Sequence, residues 1–473
     1  MLDNALLSEL RAAVGAEALL TGERVRECAT DVQGVAPGAE ALVRPKSTAE
    51  VAAVLRICHA RKQPVVPHGG RTNLVAGTLT TPREIILSLE RMNRIESIDA
   101  AGRTLRVEAG VVLQRAQEEA ERHDLMFPLD LGARGSCTIG GNISTNAGGV
   151  RVLRFGMMRS LVLGIEAVLA DGTVLGSLNR MLKNNAGYDL KQLFIGSEGT
   201  LGVVTRADLR LFPKPRSVST AFVACNDFAA LARLLGHLDA RLGGQLAAFE
   251  ALWPEFYEIT TSAQTSNAAV LPKTYGMYAL VETLGADPEA DQVRLEQALA
   301  AALESGIIVD AVVAKSEAER RTIWAPRDDA WQVQAQYGLT FNFDVSLPVA
   351  EMAPYIERLR RGAAERFPRG RVVAFGHIAD GNLHVIIVPG TSTSTSTSTG
   401  AGTELDAVRA SAERLVYTPL RGIEGSISAE HGIGLERREY LGISRSPAEI
   451  AAMRALKAAL DPKGILNPGK VIG

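Results

Sequence analysis

The sequence predicts an α+β protein that is built from more than one domain. Its 473 residues are too many for a single hydrophobic core, so two or three domains are expected. Predicted strands and helices alternate from Leu42 onward, and Pro213-Lys-Pro215 interrupts them with the composition of a domain boundary. After this boundary, strand-helix-strand-helix order with a returning hairpin predicts a second α+β domain on an antiparallel sheet.

The elements of the first predicted domain follow from capping residues, apolar runs and turns. A helix over Asn4–Val14 is followed by irregular chain. Ser47 or Thr48 caps a helix that ends at Arg61, because either hydroxyl can accept a hydrogen bond from a free backbone amide. Asp171-Gly172 predicts a hairpin turn. Strands are predicted at 65–68, 85–89, 105–109, 165–170 and 173–175, and a further helix is predicted at 112–123.

The second predicted domain shows the same alternation and ends in a polar tract. Strands are predicted at 219–224 and 277–282, and helices at Phe228–Leu242 and Pro288–Glu304. The repeated Thr-Ser tract cannot bury a core and predicts a disordered loop over residues 390–403. The last fifty residues are predicted to be mostly helical. The predicted division is therefore 1–215, with its core at 38–215, then 216–420 and 421–473.

Composition excludes several classes of protein. A net charge of −2 indicates no basic surface for nucleic acid, although single arginines can still select a small anion. The N-terminus lacks the pattern of a signal peptide. No apolar run comes close to about 18 residues, the length that a membrane-spanning helix needs. The cysteines are too scattered for a metal pair or a disulfide framework, which favours a cytoplasmic location. They are Cys28, Cys58, Cys137 and Cys225.

Three glycine-rich segments predict a site for a ligand that carries phosphate. They cover residues 67–77, 135–149 and 196–202. Adjacent glycines let backbone N–H groups approach an anion closely, and the Ser, Thr and Asn residues of the second segment can bind ribose or pyrophosphate. None of the segments is G-x-G-x-x-G or G-x-x-x-x-G-K-[ST], so neither a Rossmann site nor a P-loop is predicted.

Two histidines at the ends of one turn predict a metal site. His377 and His384 flank an Asp-Gly turn between two apolar runs. If they pair directly, their Cβ atoms lie about 5 Å apart, close enough to bind one ion. Glu430 completes a three-ligand site with open positions, which is typical of catalytic Zn²⁺. Mn²⁺, Co²⁺ or Fe²⁺ also suit these ligands, and Asp380 is a rival ligand.

The glycine-rich segments, in this order, resemble the FAD-binding domain of the vanillyl-alcohol oxidase and p-cresol methylhydroxylase superfamily. Gly376-His-x-x-x-Gly-Asn-x-His384, Glu430-His431-Gly432 and Pro462-Lys-Gly-Ile-Leu-Asn-Pro468 resemble its FAD-linked D-2-hydroxy acid dehydrogenases. The first of these motifs, with residues 184–193, is most similar to the D-2-hydroxyglutarate dehydrogenases. The resemblance implies a two-part FAD-binding domain over 1–215, an antiparallel-sheet domain for substrate and metal over 216–420, and a helical C-terminal segment.

The resemblance also implies which residues bind FAD. The first segment would cradle the pyrophosphate, the second would contact phosphate, ribose and flavin, and the third would lie on the adenosine side. The implied contacts are Pro67, Gly69, Gly70, Arg71, Thr72, Asn73, Ser136, Thr138, Gly140, Gly141, Ser144, Asn146, Glu198, Gly202, Val203 and Asn467.

The resemblance assigns His377, His384 and Glu430 to the metal, in agreement with the argument from the turn. His431 is then expected to act as the base, since a neutral imidazole accepts a proton near pH 7. The expected reaction converts a D-2-hydroxy acid to the 2-oxo acid. The metal lowers the pKa of the substrate hydroxyl, His431 removes its proton, and the Cα hydrogen passes to the flavin as hydride.

The substrate is indicated by four further residues. Arg327 matches the family's substrate-binding arginine, and a guanidinium can bind a carboxylate through two parallel hydrogen bonds. Trp331 and Asn342 stand where D-2-hydroxyglutarate dehydrogenases are expected to carry a threonine and a lysine. The motif at 376–384 favours D-2-hydroxyglutarate as the substrate, while the missing lysine makes D-lactate, D-malate and glycolate alternatives. Asn382 is expected to contact substrate or flavin, or equally to stabilise its own turn.

Other classes of function remain as alternatives. A MurB-like reductase or an alkylglycerone-phosphate synthase-like transferase would explain the glycine-rich segments but not the two histidines. A catalytically inactive FAD-binding component is the third alternative. Without a Rossmann motif or a redox cysteine pair, the resemblance implies electron-transfer flavoprotein as the electron acceptor, with a quinone or a cytochrome as alternatives. Homodimers are common in the family.

Overall fold

The fold is taken from a computed structural model that describes residues 2–390 and 401–472. The chain forms two compact units. Unit 1 consists of Met1–Gly149, Phe155–Lys214 and Glu430–Gly473, and unit 2 consists of Val150–Arg154 and Pro215–Ala429. The chain passes from one unit to the other inside the predicted Pro213-Lys-Pro215 boundary.

Unit 1 contains two main sheets, as expected for a two-part domain. Its strands are β1 Leu19–Thr21, β2 Ala41–Val43, β3 Val65–His68, β4 Ile85–Ser88, β5 Ile95–Asp99, β6 Thr104–Glu108, β7 Leu125–Met126, β8 Val162–Val168, β9 Val174–Ser177, β10 Val203–Arg210 and β11 Phe212–Pro213. The smaller sheet has the order β1-β2-β4-β3, with β2, β4 and β3 parallel. The larger sheet is antiparallel in the order β5-β6-β10-β8-β9, and β7 pairs with β11.

The helices before Pro215 belong to unit 1, except for most of the helix at Val152–Phe155, which lies in unit 2. They are α1 Asn4–Val14, α2 Glu23–Ala29, α3 Thr48–Arg61, α4 Leu113–Glu121, α5 Ile139–Thr145, α6 Val152–Phe155, α7 Met158–Leu161 and α8 Lys191–Phe194. The predicted cap of α3 is confirmed, because the Ser47 side chain accepts from Glu50 N. Val51 and Leu55 of α3 are fully buried in one core with Ile85 of β4. The predicted Asp171-Gly172 hairpin is also confirmed, since β8 pairs with β9.

Unit 2 is built on one antiparallel sheet of seven strands, which confirms the predicted architecture. The strands are β12 Ser217–Cys225, β13 Leu246–Leu252, β14 Met277–Gly285, β15 Asp310–Val313, β16 Phe341–Ser346, β17 Arg371–Gly376 and β18 Asn382–Val388. Their order is β15-β12-β14-β13-β17-β18-β16. All seven residues of the central strand β13 are buried, so both faces of the sheet are covered at its centre.

The helices of unit 2 lie between these strands along the chain, except for the last helix, which follows β18. They are α9 Phe228–Leu242, α10 Pro254–Thr260, α11 Pro288–Glu304, α12 Glu317–Asp328, α13 Trp331–Tyr337, α14 Val349–Arg366 and α15 Ala401–Tyr417. Helices α10, α12 and α13 contribute Phe256, Ile323 and Val333 to a core with Phe375 of β17. The predicted disordered loop over 390–403 falls mainly on 391–400, which lie outside the described residues. Residues 401–403 belong to α15 instead.

The C-terminal chain from Glu430 is part of unit 1 and differs from the predicted helical segment over 421–473. Only α16 Leu441–Ser444, α17 Pro447–Leu460 and a short 3₁₀ turn are helical in its described part. Ile465 and Leu466 are buried in the same core as α3, and Val65 N donates to Ile465 O. Among the described residues, no helix combines the length and the apolar character that crossing a membrane requires.

Candidate functional site

The first two glycine-rich segments of unit 1 pack backbone against backbone. A Cβ atom on Gly70 would overlap Ser136 O, and one on Gly69 would lie 2.6 Å from Thr138 Oγ1. Thr138 caps α5, and its side chain accepts from Gly141 N. Glycine is therefore required at 69 and 70 because any side chain would push these two segments apart.

The third segment joins the other two. Glu198 N donates to Ser144 O at 2.7 Å, and Gly196 N donates to Ile143 O at 3.0 Å. A Cβ on Gly199 would lie 3.3 Å from Pro67 Cγ. The three predicted segments thus converge in one unit. Their small side chains and backbone amides fit an elongated anionic cofactor such as FAD.

Four of the predicted cofactor residues have left-handed backbone conformations. Arg71, Asn146, Glu198 and Asn467 have φ values of 56°, 50°, 51° and 44°. Residues other than glycine adopt this conformation rarely, and such residues concentrate at functional sites. Their shared conformation supports a ligand site at this position in unit 1.

Glu198, which is predicted to lie on the adenosine side, also binds backbone amides of unit 1. Its carboxylate oxygens accept from Ile433 N at 2.7 Å and from Gly434 N at 2.9 Å. Loss of solvent around it raises the pKa of Glu198, although these hydrogen bonds oppose the shift. Asn467 Nδ2 donates to Glu198 O at 2.6 Å. Glu198 thus anchors the loop that follows His431, and Asn467 supports Glu198.

Several other predicted cofactor residues have structural contacts. Asn73 Oδ1 accepts from Val75 N and Gly77 N, and Asn146 Oδ1 accepts from Arg159 N. Ser144 Oγ donates to Gly140 O, and Gly140 packs closely on Ala109. The Val203 side chain is buried in the core, and Gly202 leaves room for Phe194. Ser136 lies beside Gly70, and Thr72 lies in the first loop. These contacts shape the segments, while direct binding to FAD stays a prediction for these residues.

The two histidines of the predicted metal site lie on one face of unit 2, but their register differs from the predicted one. His384 pairs with Phe375, and Asn382 N donates to His377 O. His377 and His384 are therefore diagonal rather than directly opposite, because the turn is a 3₁₀ turn over Ile378–Asp380. Their ring centroids lie 5.4 Å apart. The shared face is confirmed, and the direct pairing is wrong.

A buried carboxylate that the sequence analysis missed connects two of the predicted site residues. Glu250 of β13 is 1% exposed. Its Oε1 accepts from His377 Nδ1 at 2.5 Å, and its Oε2 accepts from Arg327 Nε at 2.7 Å. Burial alone would raise the pKa of Glu250, but His377 and Arg327 outweigh it and lower the pKa to about 2. A charged residue in the apolar run Leu246–Leu252 was the signal that could have identified it.

His384 lies beside a second buried carboxylate that the sequence analysis missed. Its Nδ1 is 3.9 Å from Oδ1 of Asp344, which pairs with it across β16 and β18. Asn382 Nδ2 donates to Asp344 Oδ1 at 2.6 Å and to Val345 O at 3.3 Å. The amide hydrogens of Asn382 are thus used within unit 2, while contact of its side chain with substrate or flavin stays a prediction. The Asp380 carboxylate accepts from Asn382 N, which fits a role within its own turn.

The remaining predicted site residues lie on different elements of the chain. Arg327 is in the last turn of α12, near Phe375. Trp331 begins α13 and is 68% exposed, and Asn342 is an exposed residue of β16. Glu430 and His431 are half-buried at the start of the C-terminal part of unit 1.

Two families match the chain. The family described as "FAD linked oxidases, C-terminal domain" matches residues 214–471, and the one described as "FAD binding domain" matches residues 39–176. Among solved structures, a p-cresol methylhydroxylase with substrate bound has a TM-score of 0.78 at 19% identity over 99% of this chain and 96% of that one. An alkyldihydroxyacetonephosphate synthase has a TM-score of 0.74 at 16% identity, over 99% and 85%. Both confirm the predicted fold.

Curated relatives are similar over most of their length. A mitochondrial D-2-hydroxyglutarate dehydrogenase of Bos taurus is 41% identical, over 91% of this chain and 76% of the relative. D-2-Hydroxyglutarate dehydrogenases of Xanthomonas citri pv. viticola and Stutzerimonas stutzeri are 38% and 35% identical, over 92% and 100% of this chain and 89% and 99% of those relatives.

The names of these relatives contradict the predicted cytoplasmic location. The proteins of Bos taurus, Danio rerio and Rattus norvegicus are named as mitochondrial, whereas the two bacterial names give no location. Scattered cysteines argue against a disulfide framework but do not select a compartment, which is why the prediction failed. With both family models and these relatives spanning most of its length, the chain belongs to the FAD-linked oxidases and is an FAD-dependent oxidoreductase.

Proposed function

We propose that the chain oxidises a D-2-hydroxy acid to the 2-oxo acid, with D-2-hydroxyglutarate as the favoured substrate. The observation that carries this proposal is the group formed by Arg327, His377 and Glu250 in unit 2. It combines a guanidinium for a carboxylate with an imidazole for a metal. The relatives named D-2-hydroxyglutarate dehydrogenase support the same substrate.

The proposed metal ligands are His377, His384 and Glu430, with Zn²⁺ favoured and Mn²⁺ or Co²⁺ as alternatives. Ala429 N donates to Asp344 O, and Asp344 pairs with His384. Glu430 follows Ala429 directly in the sequence. The chemistry supplied by a divalent ion at these ligands is a lower pKa of the substrate hydroxyl.

His431 is the proposed base, and Arg327 is the proposed partner of the substrate carboxylate. The loop after His431 is held by Glu198 through Ile433 N and Gly434 N, which supports a fixed position for its imidazole. A neutral imidazole removes the hydroxyl proton. FAD, when bound in unit 1, supplies the acceptor for the Cα hydride, since no side chain can perform that chemistry.

We propose that Trp331 and Asn342 contact the part of the substrate that lies beyond its 2-hydroxy carboxylate. Neither residue supplies a cation for a second carboxylate, so D-lactate, D-malate and glycolate remain alternative substrates. Both side chains are exposed. We propose a protein or quinone electron acceptor, with electron-transfer flavoprotein first, and a homodimer as the assembly.

The proposal is tested with the purified flavoprotein, a panel of D-2-hydroxy acids and a dye as artificial electron acceptor. We expect D-2-hydroxyglutarate to reduce the dye fastest, and we expect EDTA or His431→Asn to abolish the reaction. His123→Asn is the matched control, because His123 is an exposed residue far along the chain from every predicted metal ligand and from His431. The proposal would be wrong if the protein carried no flavin, or if oxidation survived both EDTA and His431→Asn.

A further inference from the structure

Glu250 is a buried carboxylate to which no sequence motif gives a role. It lies within the fully buried strand β13, between Phe249 and Ala251. A charge in such a position is costly unless it is paired, and both of its oxygens are paired here. One partner is a predicted metal ligand, His377, and the other is the predicted carboxylate-binding residue, Arg327. A carboxylate retained at this cost and shared by two site residues has a role beyond stability.

The contacts of His377 fix which of its nitrogens carries the proton. Arg327 Nη2 lies 3.1 Å from His377 Nε2. A guanidinium can only donate, so Nε2 must be the acceptor of this hydrogen bond. Nδ1 then carries the proton and donates to Glu250 Oε1. This tautomer places the lone pair on Nε2, where a metal could bind in place of the hydrogen bond from Arg327.

Glu250 also fixes the position of Arg327. Oε2 accepts from Nε at 2.7 Å, and Nη2, on the same edge of the guanidinium, donates to His377 Nε2 at 3.1 Å. Nη1 lies 3.7 Å from Asp328 Oδ1. The nitrogen that would bind the metal and a nitrogen that would bind a carboxylate therefore lie side by side, and a bound metal would replace the hydrogen bond between them. A 2-hydroxy acid presents its hydroxyl and its carboxylate in such close proximity.

We propose that Glu250 is a positioning residue that aligns the metal-binding nitrogen of His377 with the carboxylate-binding nitrogens of Arg327. It thereby makes the site selective for a hydroxyl next to a carboxylate. This inference rests on the proposed function. Glu250 touches neither the substrate nor the metal and acts through its two neighbours.

Glu282 offers a matched control on the neighbouring strand. It is also 1% exposed, and it pairs with Ala248, two residues before Glu250, so that both carboxylates lie on the same face. Its partners are Trp324 Nε1 at 3.0 Å, Thr220 Oγ1 at 3.3 Å, Arg320 at 3.5 Å and Arg151 at 3.7 Å. None of these partners is a predicted metal ligand. Glu282→Gln therefore disturbs a buried ionic network of the same kind without affecting His377.

The first experiment measures Zn²⁺ binding by the FAD-loaded full chain after treatment with EDTA, by competition with a chelating dye. Replacement of a carboxylate that orients a metal-binding histidine weakens metal binding by about ten- to hundredfold. We expect this loss for Glu250→Gln, and no change for Glu282→Gln. With Zn²⁺ saturating, we also expect Glu250→Gln to raise the KM for D-2-hydroxyglutarate. Equal Zn²⁺ affinity of Glu250→Gln and the wild type would overturn the inference.

The second experiment needs no variant of Glu250 and no metal. Long-range ¹H–¹⁵N correlation spectra of histidine-labelled wild-type protein report the tautomer of each of the 7 histidines, and His377→Asn assigns one signal. We expect Nδ1 of His377 to carry a proton. A proton on Nε2 but not on Nδ1 would refute the inference even if Glu250→Gln did not fold.

The outcomes separate this inference from the proposed function. If the wild type binds Zn²⁺ and oxidises D-2-hydroxyglutarate while Glu250→Gln does both equally well, only the inference is wrong. If the wild type binds no divalent ion, the proposed function fails, and the inference fails with it.

Discussion

At the scale of single residues, two carboxylates in apolar strands lie beside the two histidines of the candidate site. Glu250 accepts from His377, and Asp344 lies beside His384. Both carboxylates are almost completely buried. Buried carboxylates are rare unless they are paired. Each carboxylate is therefore stabilised by its neighbouring histidine, and each histidine is positioned by its carboxylate. The chemistry of the histidines is therefore set by residues that no short motif contains.

Arg327→Lys should weaken recognition of the substrate carboxylate. A lysine has no planar fork and cannot donate to Glu250 while presenting two parallel hydrogen bonds. Because a hydrogen bond to a charged group contributes about 1.5–3 kcal/mol, the KM for D-2-hydroxyglutarate should rise roughly ten- to hundredfold. The control is Arg320→Lys in the same helix, where the guanidinium contacts Glu317 and Glu282. Equal KM values for the two variants would contradict the assignment of Arg327.

Lys470 provides a test of stability against pH in unit 1. Its side chain is 3% exposed, and its Nζ donates to Leu79 O. Burial lowers the pKa of Lys470 to about 8, although Glu84 and Glu198 oppose the shift. The folded state therefore disfavours the charged form. As pH rises from about 8 to about 10.5, the unfolded chain binds more protons than the folded chain, so stability increases.

Lys470→Met should remove this dependence. The free energy of unfolding of the wild type, minus that of Lys470→Met, should rise by up to about 3 kcal/mol across this pH range. Urea denaturation at several pH values measures the difference, and taking it against the variant cancels the other titrating groups. A difference that stayed constant or fell with pH would show that Lys470 is not perturbed in this way.

At the scale of elements, the glycine-rich segments pack against one another as well as forming the predicted cofactor site. Gly69 and Gly70 allow the first segment to approach residues 136–138, and Glu198 connects the third segment to the loop after His431. The residues that shape the cofactor site therefore also help to hold the proposed base. We expect changes in these segments to affect FAD content and catalysis together.

Gly70→Ala should reduce FAD binding. Its Cβ would overlap Ser136 O, and a backbone atom cannot move aside as a flexible side chain can. Overpacking of this kind costs about 1–3 kcal/mol and separates the two segments. Visible flavin absorbance per polypeptide measures the effect. Gly132→Ala is the control, since no atom lies within 4 Å of its added Cβ. Full flavin content in Gly70→Ala would contradict the close packing.

At the scale of the whole molecule, the two units differ in how the chain builds them. Residues 215–429 supply every strand of the seven-stranded sheet of unit 2. Unit 1 needs the C-terminal chain, because Ile465 and Leu466 complete a core that begins at α1. Unit 2 is thus nearly continuous in sequence, whereas unit 1 is not.

A fragment of residues 215–429 should fold by itself, with a cooperative unfolding transition in urea, because its sheet and core are contained within it. A fragment of residues 1–214 should neither fold nor bind FAD, since it lacks Ile465, Leu466 and the acceptor of Val65 N. Circular dichroism and flavin absorbance measure both outcomes. Stable FAD binding by residues 1–214 would contradict the role of the C-terminal chain.

Local signals in the sequence predicted much of this fold. Asn4–Val14, Thr48–Arg61, Phe228–Leu242 and Pro288–Glu304 are helices with the predicted bounds. Their caps and apolar periodicity act within a few residues, so they can be read without tertiary information. The glycine-rich segments and the histidine pair also carry their signal in short motifs, and together they indicated the family.

The tertiary structure alone decided the contacts between distant residues. Glu250 and His377 are 127 positions apart, and Glu198 and Ile433 are 235 apart. The register of His384 against Phe375 depends on a 3₁₀ turn rather than on the Asp-Gly pair by itself. Such contacts arise from packing of whole strands and loops, which no local pattern encodes. The sequence by itself therefore determined the elements, the glycine-rich segments and the histidines. The tertiary structure decided which carboxylates orient the histidines.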